Sequence, residues 1–110
     1  MGSCIFCKIA GGEIATPFVY EDEEAVAFND LQPQAPVHVL VIPRRHVASL
    51  NEAPGAQLLG NLLMAAKNTA AKIGLGQYRL VVNTGPEAGQ SVFHLHVHIL
   101  GGRRMSWPPG

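Results

Sequence analysis

His94-Leu95-His96-Val97-His98-Ile99-Leu100 is the stretch on which the reading of this chain turns. Side chains alternate across a strand, so in an extended conformation the three imidazoles share one face while Leu95, Val97 and Ile99 share the other. The apolar set reads as a core face. The histidines then line a surface or cleft, and three of the five histidines in the chain stand there. Two chemistries suit such a row: a three-histidine metal site with water in the fourth position, or one nucleophilic imidazole that its neighbours orient and titrate. Gly89-Gln90-Ser91 immediately precedes the stretch. A glycine-containing turn with successive exposed N–H groups makes an anion-binding concavity, and phosphate is its natural guest.

Working outward, short apolar segments separated by Gly and Pro clusters predict an α+β fold with a mostly antiparallel sheet. Ser3 is expected to cap a short helix over Cys4 to Ala10, stopped by Gly11-Gly12. Phe18 to Glu21 and Ala25 to Asn29 read as a hairpin around the polar turn Glu21-Asp22-Glu23-Glu24. Leu31 to Pro36 is a proline loop, followed by a strand over Val37 to Ile42 that Pro43 ends. Leu58, Leu59, Leu62, Leu63, Ala66, Ala70 and Ile73 recur at helical spacing, which predicts one long amphipathic helix over Pro54 to Ile73 with Gly74 as its C-terminal cap. Tyr78 to Asn83 and Phe93 to Leu100 read as the last strands, joined by a polar loop over Thr84 to Ser91. Trp107-Pro108-Pro109-Gly110 carries no helix or strand pattern, and its indole calls for a surface to pack on, such as a partner subunit.

The 110 residues fit a single domain over 1–110 with a tail from about residue 101. Hydrophobic residues at 47% and charged residues at 15% give enough apolar material for a core. Eight basic residues balance eight acidic ones, so the sequence has no basic stripe for polymeric nucleic acid, although a single nucleotide is not excluded. The apolar runs fall short of the roughly 18 residues a spanning helix needs, and the start has no basic-then-apolar leader. A cytoplasmic protein that does not enter a membrane is therefore expected. Cys4 and Cys7 are separated by two residues, so they cannot staple distant segments; metal binding, redox chemistry and plain reduced thiols remain open.

These residues resemble the histidine triad (HIT) superfamily, whose signature is His-φ-His-φ-His-φ-φ with φ apolar. The resemblance extends over Phe6-Cys7-Lys8-Ile9, Leu31 to His38, Val41-Ile42-Pro43, Val82-Asn83, Gly89 to Val92 and Gly101-Gly102-Arg103, and with the Trp-Pro-Pro-Gly end it is similar to the Hint branch of purine nucleoside phosphoramidases. For the fold, the resemblance implies a five-stranded antiparallel sheet with one long and one short helix, dimerising into a ten-stranded sheet. For the chemistry, it implies cleavage of the P–N bond of a purine nucleoside 5′-phosphoramidate with His96 as nucleophile, His98 on the phosphate oxygens, His38 in the same pocket and Ser91 beside the leaving group. Asn83, Gly89 and Gln90 fall at phosphate-contacting positions, Val92 is a further nucleotide-binding position, and Asp30 suits the two ribose hydroxyls, with a loop-capping role as its alternative. Phe6, Ile9, Phe28, Leu31 and Leu40 would form the purine slot. Asn29 stands where relatives often carry a larger basic or imidazole side chain, a departure that bears on the ribose contacts. A subset of the superfamily pairs the Cys-x₂-Cys with two histidines, which here implies zinc held by Cys4, Cys7, His46 and His94 as a structural site, with no cofactor needed for the chemical step. Competing readings are a dinucleoside polyphosphate hydrolase, a nucleotidyltransferase, a nucleotide-binding module without turnover and a catalytic three-histidine zinc site.

Overall fold

The computed structural model describes residues 3–110. Seven elements matter for the site: α1 (Ile5–Ala10), β1 (Tyr20–Glu21), β2 (Ala25–Asn29), β3 (Val37–Pro43), α2 (Ala56–Lys72), β4 (Tyr78–Val81) and β5 (Val97–Gly101). The strands form one fully antiparallel sheet in the order β1-β2-β3-β5-β4. The α+β architecture with five strands, one long helix and one short helix is as the sequence predicts. None of the described residues forms a helix long and apolar enough to cross a membrane.

The alternation of β2 and β3 produces two apolar layers because both faces of these central strands are covered. On one face Ala25, Ala27, Val39, Val41, Val97 and Ile99 pack with Leu62, Ala65 and Ala66 of α2. On the other, Val26, Phe28, Leu40 and Ile42 pack with Phe6 and Ile9 of α1. Register continues that second face toward the histidines, since Phe28 pairs with Leu40 and Leu40 pairs with His98. At the end of β5, Gly101 passes so close to Leu75 that an added Cβ would stand 2.7 Å from its Cδ2, so a larger residue there requires the Leu75 side chain to shift.

Several boundaries move. Cys4, not Ser3, caps α1, with its Sγ accepting from the Cys7 N–H at 3.4 Å. Helix α2 starts after Pro54, with Gly55 at its N-cap, and Gly74 ends it in a left-handed conformation at φ +76°. Leu63 and Ile73 of the expected apolar stripe face solvent. Strand β1 is reduced to two residues and β4 stops at Val81. The largest shift is in the histidine stretch, where regular pairing begins at Val97, leaving His94 and His96 in the bent segment that leads into β5. Leu95 N–H donates to Val47 O there, so the segment is tied to the loop after β3 and not to a sheet neighbour.

Candidate functional site

The expected division of sides survives the bend: Leu95, Val97 and Ile99 belong to the layer under α2, and the histidines lie on the side of α1. They do not line an open surface, however. His94 is 0% and His96 7% exposed, because Phe6 of α1 lies edge-on to both rings, with centroids at 5.9 and 5.2 Å. His96 and His98 follow at 5.0 Å, and His38 approaches His98 at 5.1 Å.

Hydrogen bonds fix which ring nitrogen carries each proton. A carbonyl can only accept, so the 2.7 Å contact of His96 Nδ1 with His94 O makes Nδ1 the donor and leaves the lone pair on Nε2. On β3 the order reverses. Gln34 N–H donates to His38 Nδ1 at 2.9 Å, so His38 Nε2 carries the proton and donates it to His98 Nδ1 at 2.8 Å. His98 must then hold its own proton on Nε2, which is buried without a hydrogen-bond partner among the described residues. Burial first, and then the neighbouring His96 and His38, depress the His98 pKa from 6.5 to about 4, with Asp30 opposing. A neutral ring with an outward N–H donor beside a neutral ring with a nucleophilic nitrogen suits attack on a phosphorus centre.

Asp30 follows β2 and reaches this chain: Oδ1 accepts from Gln32 N–H at 2.8 Å and Oδ2 lies 3.4 Å from His38 Nε2. Both the loop-capping role and an approach to His38 are therefore seen. Asn29 is exposed beside it, while Leu31 is 96% exposed and is not brought to the apolar slot. Phe6, Ile9, Phe28 and Leu40 do share one cluster, with Val92 packed against it. Phe6 and Phe28 meet edge-to-face at 5.6 Å.

In the loop before His94, Gly89 has φ +101°, and the Asn83 side chain lies 3.5 Å from the place where a Cβ would stand. A side chain there would be strained in backbone conformation. Gln90 is buried with its amide fully used: Oε1 accepts from Gly85 N–H, and Nε2 donates to Ala48 O and Val92 O. It holds the loop instead of offering free donors. Ser91 is exposed and lines a cleft of about 390 Å³ with Val92, Phe93, Cys4, Ile5 and His46.

Cys4, Cys7, His46 and His94 converge, with their ligand atoms within 4.8 Å of one another. Cys4 Sγ lies 3.4 Å and Cys7 Sγ 3.6 Å from His94 Nδ1, and Cys7 Sγ lies 3.3 Å from His46 Nδ1. A tetrahedral ion with bonds near 2.0 to 2.3 Å separates its ligands by roughly 3.3 to 3.8 Å. The observed spacings match. His94 Nε2 donates to Pro43 O at 2.8 Å, which turns the Nδ1 lone pair toward the sulfurs, the backing a metal-binding imidazole needs. Burial, then the neighbouring Cys4 sulfur, push the Cys7 thiol up, and a cation among the sulfurs would offset that cost. This cluster is able to hold a metal ion. A second group, Asp30, His38 and His98, is equally close, but the Gln34 N–H commits His38 Nε2 to being a donor. That group is a hydrogen-bond chain.

Gln34 N–H and Pro43 O set the tautomers of His38 and His94 and were not legible in the sequence, because backbone groups have no side-chain signature.

The family model for the HIT domain matches residues 11–105. The chain belongs to the HIT domain family. An uncharacterized HIT-like protein of Synechocystis is 56% identical to it over 109 residues, 96% of each chain. Among solved structures, a HIT family hydrolase from Legionella pneumophila superposes with a TM-score of 0.93 at 49% identity, covering 98% of this chain and 100% of the other. A histidine triad nucleotide-binding protein from Candida albicans gives 0.83 at 34% identity, over 96% and 83% of the two chains. In this HIT domain the signature residues and the Cys/His cluster meet at His94, whose ring faces the sulfurs and whose carbonyl holds His96.

Proposed function

We propose that this HIT domain hydrolyses the P–N bond of purine nucleoside 5′-phosphoramidates through a nucleotidyl-His96 intermediate. The observation that carries the reading is the pair of opposed tautomers: a lone pair on His96 Nε2 and a buried N–H on His98 Nε2 that has no partner among the described residues. The His96 lone pair attacks the α-phosphorus as the P–N bond breaks, and the amine departs with a proton taken up at the solvent-exposed rim by Ser91. His98 Nε2–H donates to the phosphoryl oxygens as charge grows on them. Water then attacks the phosphorus of the adduct, releasing the nucleoside monophosphate and returning His96 to its neutral form. His38 sets the donor on His98, while Asp30 receives ribose hydroxyls beside Asn29. Phe6, Ile9, Phe28 and Leu40 form the apolar slot for the base. Asn83, Gly89, Gln90 and Ser91 build the phosphate side, while Val92 packs against the slot.

Cys4, Cys7, His46 and His94 would hold zinc, and four protein ligands leave no coordination position for water, so it supplies a crosslink and not Lewis-acid chemistry. The reading includes a homodimer and the reducing cytoplasm, where thiol ligands persist.

The test is turnover of adenosine phosphoramidate against a diadenosine polyphosphate by one purified sample, with a short-time substrate trap. Mass spectrometry should find one added nucleoside monophosphate on the peptide bearing His96, and His96→Ala should lose nearly all turnover while retaining nucleotide binding. Preference for the dinucleotide, or an adduct on another residue, rejects the proposal.

A further inference from the structure

The hydrogen-bond chain from Gln34 through His38 to His98 has a side branch. His38 Nε2–H faces two acceptors, His98 Nδ1 at 2.8 Å and Asp30 Oδ2 at 3.4 Å. Because His38 Nδ1 already accepts from Gln34, the ring is neutral, and its 3.4 Å contact with Asp30 is the attraction of a carboxylate for a neutral N–H and not an ion pair. Asp30 Oδ1 is occupied by the Gln32 N–H. Oδ2 is therefore the oxygen with capacity left, on a side chain 22% exposed against 4% for His38. A sugar hydroxyl that reaches Asp30 from solvent arrives at the same atom that competes for the His38 proton.

We infer that Asp30 is a positioning residue coupling sugar recognition to the phosphate-facing donor: a ribose hydroxyl donating to Oδ2 releases the His38 Nε2–H wholly to His98. This rests on the nucleotide reading above and deepens it, making the ribose hydroxyls the feature of the substrate that sets the donor strength of His98. Hydrogen bonds in series polarise one another, so a fuller bond into His98 Nδ1 strengthens donation from Nε2. The gain falls on the transition state, where charge on the phosphoryl oxygens is greatest. It therefore belongs in kcat and not only in KM.

The experiment compares adenosine 5′-phosphoramidate with its 2′,3′-dideoxy counterpart on the wild-type chain and on Asp30→Asn. Asparagine can keep the Oδ1 contact with Gln32 and puts at the Oδ2 position an amide nitrogen that accepts nothing. In the wild type, kcat on the dideoxy substrate should be about threefold lower, the scale of one weak polar contact. In Asp30→Asn the two kcat values should converge, with the dideoxy substrate rising toward the wild-type ribonucleotide rate while KM for the ribonucleotide increases. A purely structural Asp30 would instead lower both rates together. Imidazole ¹⁵N spectra supply a readout free of turnover: AMP, and not 2′,3′-dideoxy-AMP, should move His98 Nδ1 toward stronger acceptance, and Asp30→Asn should show that position before nucleotide is added. Equal wild-type kcat values, or a dideoxy rate that Asp30→Asn does not raise, overturn the coupling and leave P–N hydrolysis standing. Absence of turnover on every substrate overturns the hydrolase reading, and the ¹⁵N comparison then decides the coupling alone, with identical shifts from the two nucleotides rejecting it.

Discussion

Four of the five histidines are told apart by the group on their other ring nitrogen. Gln34 N–H, Pro43 O and His94 O fix His38, His94 and His96, and His38 in turn fixes His98. The sequence shows that His94, His96 and His98 alternate, which is enough to suspect chemistry, but it does not name the backbone amide that sets His38 or the carbonyl 51 residues away that sets His94. Asp30 illustrates the same limit, since its placement near His38 depends on the turn after β2 and not on spacing. Burial of His98 has a consequence for stability. With a folded pKa near 4 against 6.5 for the free side chain, the unfolded chain binds a proton between those values that the folded chain refuses. Stability contributed by this group is therefore fully present above pH 6.5 and is lost as the pH falls toward 4. Denaturant titrations at pH steps across this window should give a steeper fall for the wild type than for His98→Gln. Parallel curves would mean that His98 titrates normally.

At the scale of elements, period and punctuation located both α-helices and all five strands, and tertiary contacts moved their ends. The expected strand over Phe93 to Leu100 loses its first half because Leu95 bonds to the loop at Val47, a contact 48 residues away along the chain by number and invisible to local pattern. Cys4 replaces Ser3 as the cap of α1 because its sulfur accepts the Cys7 N–H, where a hydroxyl is the usual partner. The polar turn between β1 and β2 was legible, but the residue that organises it was not. Asp22 Oδ1 accepts from the N–H groups of Glu24 and Ala25 at 2.8 Å, and Oδ2 accepts from the Tyr20 hydroxyl at 2.9 Å. Burial alone would raise the pKa of this carboxyl, yet those donors, with Arg44, hold it below its usual value. Its contribution is thus present above the ordinary carboxylate range and disappears as the pH drops through the lowered value. Asp22→Ala should cost about 1 to 3 kcal/mol of unfolding free energy at neutral pH, measured by urea denaturation, with the loss shrinking in acid. A cost that does not change with pH would show that the charge contributes nothing to the turn.

In the whole molecule, two apolar layers flank one sheet, and further apolar surface remains outside them. Leu63 and Met64 on α2 and Tyr78 on the edge strand β4 are exposed, and Trp107 is 80% exposed against Arg79. A second copy covering this surface would extend the sheet beyond β4, so sedimentation at micromolar concentration should give twice 11.7 kDa. A species of 11.7 kDa alone would reject that assembly.

The Cys/His cluster joins parts of the molecule that the sheet does not. Cys4 caps α1 and Cys7 lies in its first turn, His46 belongs to the loop after β3, and His94 to the segment entering β5. A six-residue helix does not hold its shape alone, yet α1 supplies Phe6, which packs on Phe28 and on both His94 and His96. If zinc fastens α1 to the sheet, removing it should lower the melting temperature by roughly 10 °C or more, since binding energy at such a site is folding energy. Calorimetry before and after chelation measures this, and the paired variant Cys4→Ser, Cys7→Ser should melt at the chelated temperature. Amide exchange should accelerate in α1 first, and KM should rise more than kcat falls because the base slot loosens while the His38 to His98 chain stays on the sheet. An unchanged melting temperature would reduce the cysteines to ordinary thiols. A still-folded, metal-stripped protein with normal KM and no turnover would instead move the ion into the chemical step.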